Sequence, residues 1–168
     1  MDAMNPRTPP VVPGGGGPPP PPLAVGSLGV HPARFVMIGR RVRGRCVALE
    51  RSDRRHRACR RRVSLRVVFT LNQAASVRFV VRRAVSGRLT GARCRPTTRA
   101  NHRRRRCALL IAVRGSFTRA GVAGSNQFRW AAEVGTRRLS PGSYRLTAST
   151  IQSGAASAGA TTTFALAT

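Results

Sequence analysis

Residues 63–82 alternate apolar and polar side chains with a period of two, which suits a half-buried strand and not an amphipathic helix. Val63, Leu65, Val67, Phe69 and Leu71 fall on one face, with Ser64, Arg66, Val68 and Thr70 on the other. Asn72-Gln73-Ala74-Ala75 predicts a turn, after which Val77, Phe79 and Val81 oppose Ser76, Arg78 and Arg82. Strands are predicted again at 107–113, 128–134, 144–148 and 162–166, and Leu23 to Phe35 suits an edge strand broken near Pro32 and Arg34. No stretch keeps a helical period. Thr- and Val-rich segments with glycine-bearing connections predict an all-β antiparallel sandwich of about seven strands.

The sandwich is expected to occupy residues 23–168. Residues 1–22 hold nine of the twelve prolines and the run Gly14 to Gly17, a composition that buries no core. They predict a disordered or polyproline-II linker. The remaining residues suffice for one domain that buries roughly two-thirds of its unfolded surface without a metal or staple.

Charge is the second constraint. The chain carries 31 basic residues against four acids, for a formal net charge of +27. Every basic residue is arginine, which agrees with a GC-rich coding sequence but leaves the charge physically present at any working pH. Eighteen arginines fall within 40–62 and 93–106, whereas only Arg129, Arg137, Arg138 and Arg145 follow Gly121. So lopsided a field favours an anionic partner: an acidic envelope polymer, an anionic membrane surface or nucleic acid.

Cys46 and Cys59 are separated by twelve residues, as are Cys94 and Cys107. Four cysteines allow three connectivities, and the matched spacing favours two local disulfides, each closing a basic loop. These insert loops are placed at 40–62 and 93–106. His56 and His102 sit within them, but the cysteines lack the close pairing of structural zinc sites and the arginines oppose a dication. Neither a metal nor another cofactor is therefore expected.

Catalysis lacks its usual groups. The acids are Asp2, Glu50, Asp53 and Glu133, and the middle two lie in a basic segment that holds carboxylates ionised. No nucleophile elbow or phosphate-binding lysine loop occurs, so a non-enzymatic role is expected. The longest apolar run, Cys107 to Val113, is far shorter than the roughly 20 residues of a membrane-spanning helix. The first residues, Met1-Asp2-Ala3-Met4-Asn5-Pro6, do not resemble a secretory leader.

Leu139-Ser140-Pro141-Gly142-Ser143-Tyr144-Arg145-Leu146 predicts a turn feeding a strand whose first inward residue is tyrosine. With Pro141 and Gly142 shaping the turn, the Tyr144 hydroxyl is placed to bond back to the backbone, as in the tyrosine corner of immunoglobulin-like sandwiches.

A resemblance runs through these segments. It is carried by Phe69-Thr70-Leu71, Ala75 to Phe79, Gly87-Arg88, Gly91 to Cys94, Arg103 to Cys107, Gly115-Ser116-Phe117, Gly121 to Asn126 and Leu139 to Leu146. Together they resemble an uncharacterised immunoglobulin-like, fibronectin type III-like C-terminal module of secreted or surface proteins from high-GC Gram-positive bacteria. The likeness spans roughly 63–168, with Leu23 to Phe35 similar to the module's first strand. It leaves the 40–62 insert unexplained, and residues 152–159 depart from the module's usual last turn. It implies the fold and an extracellular or envelope location, and no catalytic or ligand site.

The expected function is a non-catalytic accessory or adhesion-type module. Arg54, Arg55, Arg103, Arg104, Arg105 and Arg106 are the candidate polyanion contacts. The alternative is an intracellular basic protein binding nucleic acid non-specifically, for which the scarce aromatics are a poor stacking platform.

Overall fold

A computed structural model describes residues 21–50, 57–152, 155–156 and 159–168. The expected linker up to residue 20, and Arg54 and Arg55, lie outside the described residues. The strands of the first half are β1 (Val25–His31), β2 (Arg34–Val36), β3 (Ile38–Val42), β4 (Arg45–Ala48), β5 (Ala58–Arg60), β6 (Leu65–Leu71), β7 (Ala75–Thr90) and β8 (Arg93–Pro96). Those of the second half are β9 (Arg106–Ala112), β10 (Phe117–Gly121), β11 (Gly124–Trp130), β12 (Glu133–Val134), β13 (Arg137–Arg138), β14 (Gly142–Gln152), β15 (Ala155–Ala156) and β16 (Ala160–Ala167). The fold is all-β, with no helix among the described residues.

Two sheets form a β-sandwich. One has the order β1-β6-β11, the other β10-β7-β14-β16-β2. Pairing is antiparallel throughout, except that β2 runs parallel to β16. Alternation explains the packing: Leu65, Val67, Phe69 and Leu71 of one sheet meet Val77, Phe79, Val81, Tyr144, Leu146, Phe164 and Leu166 of the other, all at most 5% exposed. Phe79 centres an aromatic cluster, its ring 5.5 Å from Phe69, 5.4 Å from Phe128 and 5.0 Å from Phe117. Burying rings of this size is the largest apolar gain available to so small a core.

Four sequence expectations are refined. Leu23 to Phe35 is not one edge strand: β1 pairs with β6 in the first sheet, and after Pro32 the chain crosses to pair β2 with β16 in the second. Proline donates no ladder hydrogen bond, so the crossing falls where pairing is already interrupted. The 128–134 segment likewise breaks after Trp130, where Ala132 takes a φ of 56° and sends the chain into the β12–β13 hairpin. The strand expected at 107–113 is β9, and it lies outside the core: it pairs with the outer half of β7, and Ile111 is 49% exposed. Finally, the described part of 40–62 contains a three-stranded sheet of order β4-β3-β5 where a loop is expected.

Strand β7 explains the outer architecture. Its first half, with Val77, Phe79 and Val81, is core; its second half runs past the sandwich and carries β8 and β9 along its flanks.

Candidate functional site

The corner before β14 is locked by side chains. Tyr144 is 2% exposed, and its hydroxyl donates to the Ser140 carbonyl at 2.6 Å. The tyrosine ring stacks on Phe164 with centroids 5.3 Å apart. Arg83 Nη2 donates to the Pro141 carbonyl at 3.0 Å, and a Cβ on Gly142 would lie 3.1 Å from Arg83 Nε, so glycine leaves room for the guanidinium. A strand on the outer half of the sheet is thereby tied to the turn that starts its neighbour.

Just beyond this corner, the β8-β7-β9 unit curls. Cys94 is bonded to Cys107 with Cα atoms 5.9 Å apart, although their strands lie on opposite sides of β7. In a flat sheet two such strands are about 9–10 Å apart. The curl is possible because Gly87 stands beneath the bridge: a Cβ there would lie 2.8 Å from Cys94 Sγ and 2.7 Å from the Arg95 carbonyl oxygen.

The connection from β8 to β9 presents the arginines. Asn101 organises it, accepting from Thr98 N at 2.7 Å and donating to the Pro96 carbonyl at 2.9 Å. Arg104 N donates to Asn101 O at 2.9 Å, and Arg88 Nη1 donates to Arg104 O at 3.2 Å. With backbone acceptors occupied internally, Arg103, Arg104, Arg105 and Arg106 are left exposed to solvent. The roles of Asn101 and Arg88 were not read from the sequence; that of the asparagine is the detectable one, since its side chain commonly closes turns on nearby backbone.

The first cysteine pair is also bonded: Cys46 to Cys59, with Cα atoms 5.9 Å apart. Its strands β4 and β5 flank β3, with Gly39 buried at the centre. Arg61 anchors the unit, donating from Nη1 to the Val36 carbonyl at 3.0 Å, its guanidinium 4.6 Å from the Phe35 ring centroid. Arg40 reaches Glu50 at 3.6 Å, a surface pair of small energetic weight. Both cysteine pairs fit an oxidising environment.

An open hollow of about 440 Å³ is lined by Met37, Ile38, Cys59, Arg60, Pro141 and Thr168, between the first unit and the tyrosine corner. Among the described residues no three His, Cys, Asp or Glu side chains gather as metal donors, and no helix is long and apolar enough to cross a membrane. Chemically, the exposed groups offer dense arrays of guanidinium donors, suited to bidentate contact with phosphate or carboxylate oxygens.

No protein-family model and no curated protein matches the chain. Among solved structures, a β-glucosidase from Erythrobacter marinus matches at 13% identity over 86% of this chain and 15% of its own, with a TM-score of 0.36. A likeness that low carries no argument about fold or activity.

Proposed function

We propose that this chain is a non-catalytic accessory or adhesion-type module of the cell envelope or secreted fraction, contacting anionic polymers through its arginine-rich units. The fold reading within that proposal is an immunoglobulin-like, fibronectin type III-like sandwich. Apart from the short β2, the sandwich strands in chain order are β1, β6, β7, β10, β11, β14 and β16; β1, β6 and β11, the first, second and fifth of these, share one sheet, and the other four share the second. That partition, with the Tyr144 bond at the corner before β14, supports an immunoglobulin-type Greek key.

The observation that carries the functional reading is the placement of charge. Residues 38–60 and 86–108 hold seventeen of the 31 arginines and two acids, Glu50 and Asp53. Clustered cations repel one another, so an anionic partner that relieves the repulsion gains from every contact. Two disulfides favour an exported setting over a reducing one. The aromatics Phe69, Phe79, Trp130 and Tyr144 are buried, which disfavours base stacking and hence single-strand nucleic-acid recognition.

The test is binding of the full chain to linear inorganic polyphosphate as salt is raised. Affinity is expected to fall steeply and linearly on logarithmic axes. Absence of binding at low salt overturns the reading, and markedly tighter binding to double-stranded DNA transfers it to nucleic acid.

A further inference from the structure

The two cysteine units are the same object, built twice. Adding 48 to each number carries Gly39-Arg40 onto Gly87-Arg88, Arg45-Cys46 onto Arg93-Cys94, Arg57 onto Arg105, and Cys59 onto Cys107. The same offset carries the strand register across. Gly39 faces Ala48 and Cys59 as Gly87 faces Pro96 and Cys107; Arg41 faces Cys46 as Leu89 faces Cys94; Val42 faces Arg45 as Thr90 faces Arg93. Even a hydrogen bond outside the ladders repeats: Arg41 N donates to Arg57 O at 3.1 Å, and Leu89 N to Arg105 O at 2.9 Å. Both central glycines are buried. The 40–62 insert is thus a second copy of the disulfide-closed unit on β7.

The copies stand on the same end of the same sheet. β7 is antiparallel to β14, β14 to β16, and β2 is parallel to β16, so β2 and β7 point the same way. Phe35, Met37 and Gly39 are buried while Val36 and Ile38 between them are exposed, so the alternation runs on and β3 prolongs β2. Ala84 is level with Ser143, Ser143 with Ala165, and Ala165 with Arg34, so each unit begins only a few residues beyond one common level. Three inter-strand steps separate their roots, about 14 Å at roughly 4.8 Å each. Sheet twist of about 20–25° per step splays them further.

We propose that the units form a two-pronged seat for one flexible linear chain of phosphate or phosphodiester groups, each prong holding a separate stretch of it. The inference rests on the polyanion reading above and deepens it. Arginine's planar fork suits phosphate oxygens bidentately. Exposed Arg41, Arg43, Arg45 and Arg57 serve one prong, and exposed Arg93, Arg95, Arg103, Arg104, Arg105 and Arg106 the other. Joining two weak sites through one ligand raises overall affinity by about 10²–10⁴ once the ligand spans them.

The experiment titrates the full chain with inorganic polyphosphate in two lengths, one too short to bridge the roots and one several times longer. The long chain is expected to bind about a hundredfold tighter or more, one per protein molecule, where two short chains bind. Serine at Arg41, Arg43, Arg45 and Arg57, or at Arg103 to Arg106, should bring long-chain affinity down to the short-chain level. Affinity rising only in proportion to length, or long-chain binding unmoved by the first serine set, overturns the two-pronged seat and leaves polyanion binding standing. Failure to bind either length at low salt overturns both. Tighter binding of a single-stranded oligonucleotide of equal charge would show bases being recognised and overturn the base-free ligand assignment.

Discussion

Gly87 lies directly beneath the sulfur of Cys94, so close that a Cβ on the glycine would stand 2.8 Å from it. The disulfide and the curl of the β8-β7-β9 unit therefore depend on one missing side chain. Gly87→Ala is predicted to destabilise the protein by about 1–3 kcal/mol through overpacking, measured by urea unfolding. Gly39→Ala meets the Val47 carbonyl, a backbone group that cannot swing aside, and should cost at least as much. Gly44 has open space around it and φ of 79°, so its alanine variant should lose only the conformational term, about 1 kcal/mol. Equal losses at all three positions would contradict the packing assigned to the central glycines.

The Tyr144 hydroxyl is the polar tip of an otherwise buried ring. Tyr144→Phe removes the donor to Ser140 O and keeps the stacking on Phe164. The predicted loss is about 1–3 kcal/mol, from one unsatisfied acceptor. A neutral substitution would show that the hydroxyl does not hold the corner.

Each disulfide spans a sequence separation of 13, and closing a loop of that size contributes about 3 kcal/mol in the chain-entropy model. The paired substitutions Cys46→Ser/Cys59→Ser and Cys94→Ser/Cys107→Ser should therefore cost similar amounts in denaturant unfolding. The sandwich core stays outside both loops, so the Trp130 near-ultraviolet signal should persist in each. Protein from its native source, alkylated under denaturing, non-reducing conditions, should show no free thiol by mass spectrometry. Four free thiols would move the protein to a reducing compartment and favour the nucleic-acid alternative.

The sandwich was legible because alternation is a local signal that burial enforces. Val67, Phe69, Val77 and Phe79 sit inside where their period places them. Position within the fold was less legible. Nothing in Cys107 to Val113 distinguishes a core strand from one laid along the projecting half of β7, because apolar content does not record which neighbour covers it. The break at Ala132 was equally hidden, since alanine gives no sign of a positive φ. The cysteine spacing was readable, whereas the Gly39/Gly87 equivalence gains meaning only once the register shows each glycine flanked by the two strands that its disulfide joins. Arginine clusters in sequence became two units on one end of one sheet only through the parallel β2–β16 pairing.

The most direct measurement is the salt dependence of polyphosphate binding by the wild type and by the variant with serine at Arg103, Arg104, Arg105 and Arg106. These exposed side chains carry no packing, so the melting temperature should be nearly unchanged. Each lost phosphate contact flattens the log–log slope by about 0.7–0.9, so the variant should be shallower by roughly 3 and weaker at every salt concentration tested. A slope identical to that of the wild type, with the fold intact, would contradict the assignment of these arginines as the polyanion surface.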